Sequence, residues 1–128
     1  MKSEKFWLIF TSLLCLLCIA IGAFAAHVLQ TRLDEKFIDM INTAVKYQMF
    51  SCGSLFALII IQRQFSLKLV NALVCQGLGC IGFCFSLYLY AVTQYKPLVF
   101  ITPIGGSLML LSWLFAIVTI AKNDIGSS

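Results

Sequence analysis

FWLIFTSLLCLLCIAIGAFAAHVL, residues Phe6–Leu29, is apolar almost throughout and contains no Asp or Glu. A helix that crosses a bilayer needs ~20 mostly apolar residues, so this run predicts a membrane span. Three further runs of the same kind follow at Ala44–Ile61, Leu69–Val92 and Leu98–Ala121. In hydrocarbon each backbone N–H and C=O must be paired inside the protein, which leaves helices or a closed barrel. The runs lack strict alternation of apolar and polar residues, which argues against a barrel. The expected fold is an all-α membrane protein, a four transmembrane helix bundle forming one integral domain over residues 1–128.

Composition agrees with that class. Hydrophobic residues make up 61% of the chain and charged residues 11%, whereas soluble domains carry about 25% charge. A soluble fold of this size could not cover so much apolar surface. The net charge of +4 is spread over loops and ends. There is no basic patch of the kind nucleic acid requires, so no nucleic-acid partner is expected, while membrane lipids are. Lys2 and Lys5 before an apolar core, with Ala23-Phe24-Ala25 after it, imitate a signal peptide. The core is much longer than the ~7–15 residues of a signal sequence, so a retained span is expected.

Outside the spans, Gln30–Thr43 is the one long polar connection. Leu33, Phe37 and Met40/Ile41 recur there at helical spacing, predicting a short interfacial amphipathic helix between spans one and two. Four spans place both termini on one side, and Asn123–Ser128 reads as a polar tail. Lys2, Lys5, Arg63, Lys68 and Lys122 lie on the terminus side; Arg32, Lys36, Lys46 and Lys96 lie opposite. The excess of basic residues favours cytoplasmic termini.

Alternating span direction also gathers the unusual residues. His27, Lys46, Tyr47, Gln48, Ser86, Tyr88, Thr102, Pro103, Gly105 and Gly106 all fall toward the end opposite the termini. They form a candidate polar layer, expected just beneath the membrane surface, with Thr102 about 6 Å deep at ~1.5 Å per residue. Each member has a functional and a packing reading. His27 could be a ligand, proton carrier or pH sensor; it could equally bond a neighbouring carbonyl at the interface. Lys46 could bind an anionic group, or snorkel beside Tyr47. Gln48 needs a partner, and an interhelical hydrogen bond supplies one. Pro103 with Gly105 and Gly106 could break the fourth helix to expose backbone groups, or kink it and allow close packing.

Two patterns imitate chemistry. Gly77-Leu78-Gly79-Cys80-Ile81-Gly82 matches the dinucleotide fingerprint, but that motif needs a strand before it and an aqueous pocket. Inside an apolar run it reads as a small-residue packing face with Cys75 and Ser86. The cysteines Cys15, Cys18, Cys52, Cys75, Cys80 and Cys84 all lie within apolar runs and read as small buried thiols rather than a redox or metal site. No catalytic residues, cofactor or metal are expected. An enzyme would need a nucleophile, base and orienting group to converge, and the spans offer one histidine and no carboxylate.

These segments together resemble the YgdD-like family of small four-span bacterial inner-membrane proteins, a domain of unknown function. The resemblance is carried by Gly22-Ala23-Phe24-Ala25-Ala26-His27, Thr43-Ala44-Val45-Lys46-Tyr47-Gln48, Phe85-Ser86-Leu87-Tyr88 and Thr102-Pro103-Ile104-Gly105-Gly106, with Trp113 after them. It implies a multi-pass protein of the bacterial cytoplasmic (inner) membrane with no assigned reaction. The family often has a second histidine after the Tyr-Gln pair, where Ser51 stands here. The third-span glycine motif is altered around Phe83-Cys84-Phe85. The function expected is a structural or regulatory role in membrane or envelope integrity, with a homo-oligomer or a membrane-protein partner. The alternative is binding or transport of a small molecule or lipid by an oligomer.

Overall fold

The computed structural model describes residues 2–123. The expected polar tail beyond Asn123, with Asp124, lies outside these residues, as does Met1 at the basic start. The described chain is helical with no strand: α1 (Lys2–His27), α2 (Glu35–Gln64), α3 (Val70–Cys80), α4 (Ser86–Thr93) and α5 (Leu98–Lys122). A π-helical segment, Ile81–Phe85, joins α3 to α4, so Val70–Thr93 is one continuous third span. Four helices are therefore long and apolar enough to cross a membrane.

The short interfacial helix expected over residues 30–43 is not a separate element. Leu29–Thr31 forms a single 3₁₀ turn, and α2 then runs unbroken from Glu35 through the second span. No Gly or Pro interrupts residues 35–52, so nothing stops the helix at the polar-to-apolar boundary. The amphipathic face is used, but inward: Phe37, Ile38 and Ile41 are buried, and the Phe37 ring meets Tyr90 edge-on at 6.4 Å.

Contacts at both ends fix the alternation. At the terminus end, Arg63 Nη1 donates to Glu4 Oε2 at 2.6 Å, and the Gln62 side chain accepts from the Leu69 N–H at 2.8 Å. Phe37 on Tyr90 marks the opposite end. There α4 closes on Gln94 in the left-handed conformation (φ 57°), its N–H bonded to Tyr90 O at 2.7 Å.

One seam of buried and partly buried positions on α1, and one of buried positions on α2, advances by alternating steps of four and three. On α1 they are Trp7, Thr11, Leu14, Cys18, Ile21 and Ala25; on α2 they are Phe37, Ile41, Ala44, Gln48, Ser51, Leu55 and Leu58. This is the heptad seam of helices packed in coiled-coil fashion. The third span packs against α2 on one side and α5 on the other, while α2 and α5 make at most marginal direct contact. An open groove therefore runs between α2 and α5, floored by the third span.

The third span breaks the alternation, and the π segment is the reason. Its buried positions facing α2 are Leu73, Gln76 and Cys80, then Cys84, Tyr88 and Ala91. A strict heptad would continue at Phe83, Leu87 and Tyr90, which are only half-buried. One residue is ~100° of helix rotation. The wider π turn absorbs one extra residue and so brings Cys84, Tyr88 and Ala91 to face the core.

Opposite the π segment, α5 lies against the third span with almost no side chain between. A Cβ on Gly79 would come within 2.7 Å of Gly105 O. A Cβ on Gly105 would collide with the Phe83 amide nitrogen and come within 2.8 Å of Gly79 O. Only glycine fits either position at this backbone separation.

Candidate functional site

The residues of the expected polar layer separate into two bonded pairs and a set of exposed groups. Gln48 is fully buried. Its Nε2 donates to Leu14 O at 2.8 Å, and its Oε1 accepts from the Tyr88 hydroxyl at 2.6 Å. One side chain thus ties α1, α2 and α4 together. Leu14 is the thirteenth of the 26 residues of α1, so Gln48 sits level with the middle of that helix. The expected depth counted from Ala44, but α2 begins nine residues earlier, at Glu35.

Ser86 and Thr102 make the second pair, hydroxyl to hydroxyl, on the other face of the third span, between α4 and α5. Ser86 also donates to Phe83 O at 3.0 Å, one of the carbonyls of the π segment. Gly105 is buried in the glycine crossing, one turn further along α5. Gly106 lies half-buried beneath the Phe83 ring.

His27, Lys46, Tyr47 and Pro103 point outward and are exposed. His27 therefore does not join Gln48 and Tyr88. Tyr47 lies against Phe83 with ring centroids 4.8 Å apart, on the wall of the α2–α5 groove. Pro103 does not break α5, which is continuous from Leu98 to Lys122. It removes one backbone donor within the helix, and Ser107 Oγ bonds Pro103 O at 2.8 Å.

The glycines of the dinucleotide-like pattern serve packing. Gly77 lies under the rings of Phe10 and Trp7 from α1, and Gly79 meets α5. The cysteines are free thiols. Cys84 reaches Ala44 O at 3.3 Å and Cys18 reaches Val45 O at 3.6 Å, so both thiols act as weak donors across helix contacts. Among the described residues, no three His, Cys, Asp or Glu side chains converge as a metal site would require.

Two polar contacts were not anticipated from the sequence. Gln76 Nε2 donates to Ser51 Oγ at 3.0 Å, both fully buried, and Ser112 Oγ donates to Ala72 O at 2.8 Å. The available signal was an amide or hydroxyl inside an apolar run, since such a group must find a partner. Gln76 Oε1 and the Trp113 indole N–H are buried without a partner among the described residues.

The α2–α5 groove holds two adjoining open clefts. One, of about 530 Å³, is bounded by Tyr47, Phe83, Gly106 and Trp113. The other, of about 540 Å³, is bounded by Phe50, Gly53, Ala57 and Trp113. A third open depression, of about 540 Å³, lies along α2 beside Asp39, Asn42, Thr43, Val45 and Lys46.

A family described as "Protein of unknown function (DUF423)" matches residues 21–106. The chain is 35% identical over 118 residues to the UPF0382 membrane protein SH2409 of Staphylococcus haemolyticus, covering 92% of this chain and 97% of that one. It is 30% identical to the UPF0382 membrane protein YwdK of Bacillus subtilis, over 92% and 98% of the two chains. It is 32% identical to the UPF0382 inner membrane protein YgdD of Escherichia coli, over 91% and 89%. No solved structure matches the chain significantly.

Proposed function

This chain belongs to the DUF423 family of membrane proteins, and from that premise we propose a structural or regulatory role in the integrity of the bacterial inner membrane. The observation that carries this reading is the fate of the polar layer. Gln48 bonds at both ends of its amide, and Ser86 and Thr102 bond each other, so their polar groups hold helices together. A transport path would instead need polar groups aligned along an opening, and coupling would need an ionisable one. The two ionisable members of the layer, His27 and Lys46, face outward.

The proposal assigns no reaction to the chain. His27 is the one histidine, and it is exposed, apart from the buried hydroxyls that could serve as nucleophiles. A chromosomal deletion is expected to sensitise cells to detergent and osmotic shock, with tolerance restored by the native gene and by His27→Ala. Unchanged tolerance in the deletion, or failure of His27→Ala to restore it, would overturn the proposal.

We further propose that both termini face the cytoplasm, on the excess of Lys and Arg at that end. A reporter active only outside the cytoplasm should be silent when fused at the C-terminus and active when fused after Lys96. The reverse pattern would invert the topology.

A further inference from the structure

Close packing within the chain accounts for six glycines and leaves one over. A Cβ at Gly22, Gly77, Gly79, Gly82, Gly105 or Gly106 would come within 4 Å of another segment, whereas one at Gly53 would meet nothing. Gly53 is exposed on the outer face of α2, toward the α2–α5 groove. Glycine weakens a helix relative to alanine, and nothing within the chain offsets that cost here. Ala57 follows four residues on, completing the small-xxx-small pattern that lets membrane helices approach closely.

The neighbouring serine is left over in the same way. Ser51, Ser86 and Ser112 are buried, and each bonds another helix. Ser54 is only 5% exposed, yet its hydroxyl has no partner among the described residues. It lines the cleft with Gly53, Phe50 and Trp113. A hydroxyl in an apolar setting needs an acceptor, so what covers this face must supply one.

We propose that this face of α2 is a docking surface for a second copy of the chain, the two α2 helices crossing in parallel at Gly53 and Ala57. A two-fold contact must be self-complementary, and this face is. It carries a knob and a hole one turn apart: the Phe50 ring, 60% exposed, and the cleft of about 540 Å³ beside Gly53. About a two-fold axis each ring fills its partner's cleft. The face also carries a donor and an acceptor. The donor is the Ser54 hydroxyl; the acceptor is the α2 backbone where Gly53 leaves it bare, since each carbonyl keeps a second lone pair. Each serine then donates to the facing helix, as Ser112 donates to Ala72 O where α5 crosses α3. A lipid acyl chain would fill the cleft and leave both hydroxyls without an acceptor.

Like charges on α2 do not oppose the contact. Lys46 stands seven residues from Gly53, ~10 Å along the axis. At the crossing of about 40° that such motifs adopt, the two axes are roughly 7 Å further apart at that level, so the lysines splay. The surface is independent of the integrity role proposed above, because its test reads association and not survival.

Full-length protein labelled at the C-terminus with a donor or an acceptor dye, and mixed in lipid vesicles, should show energy transfer that follows a monomer–dimer curve on lipid dilution. Gly53→Leu should weaken association by about tenfold or more with helicity unchanged, because its side chain enters open space. Ser54→Ala, which removes one bond on each side, should weaken it by about eightfold. Leu16→Phe, on the exposed face of α1, should leave it unchanged. Energy transfer at the level of random encounters throughout, as a groove filled by lipid would give, would overturn the proposal. So would a dimer that Gly53→Leu or Ser54→Ala leaves at full strength, or one that Leu16→Phe weakens equally.

Discussion

Gln48 and Gln76 are both fully buried amides, yet they are held differently. Gln48 uses donor and acceptor, on Leu14 O and the Tyr88 hydroxyl; Gln76 uses only its donor, on Ser51. Removing a group whose partners become orphaned costs more than removing one already half-satisfied. Gln48→Leu should therefore destabilise the protein more than Gln76→Leu, measured by unfolding in mixed detergent. A double-mutant cycle of Gln48→Leu with Tyr88→Phe should return a coupling of about 0.6 kcal/mol, and no more than ~1.7 kcal/mol, the range for hydrogen bonds inside membranes. His27→Ala should shift stability by less than about 0.5 kcal/mol, because the side chain is exposed. The need of Gln48 for an interhelical partner was legible in the sequence. Which partner it takes was not, because Leu14 and Tyr88 approach it only after α1 and α4 have packed on α2.

At the scale of elements, the third span depends on its π segment. Deleting one residue within Ile81–Phe85 would let α3 and α4 merge into a regular helix with Tyr88 still facing Gln48, because the residue removed is the one that the π turn absorbs. The deletion protein should keep the Gln48–Tyr88 coupling, whereas an alanine inserted after Phe85 should turn Tyr88 by ~100°, abolish that coupling and lower the denaturant needed for unfolding. Gly105→Ala tests the crossing beside it. The added methyl would push α5 away from the Phe83 and Gly79 backbone, and a loss of about 1–3 kcal/mol is expected for overpacking of this kind. Gly106→Ala, whose Cβ would only touch the Phe83 ring at 3.5 Å, should cost far less. The glycine-rich pattern in the third span announced close helix packing. The π turn had no such signal, since its sequence Ile-Gly-Phe-Cys-Phe suits a regular helix equally well.

At the scale of the whole molecule, the third span is the centre and α5 is joined to the rest chiefly through it. Paired cysteines introduced in a cysteine-free background should cross-link α5 to the third span, as at Thr102 and Ser86, but not α5 to α1. The ion pair between Glu4 and Arg63 closes the terminus end, yet the Arg63 side chain is 69% exposed. Exposed pairs contribute ~1 kcal/mol or less, so Arg63→Gln should change stability only slightly, and more salt should mimic it.

The chain by itself determined the class, the four spans, their alternation and the need of each intramembrane polar group for a partner. These follow from local physics: apolar run length against bilayer thickness, and the cost of an unpaired polar group in hydrocarbon. The tertiary structure decided how the layer divides, that α2 continues through the expected interfacial helix, and that Gln48 lies level with the middle of α1. It also decided that a groove opens between α2 and α5. Those features depend on which faces of distant segments meet, and a single π turn shifts that register without leaving a mark in composition or hydropathy.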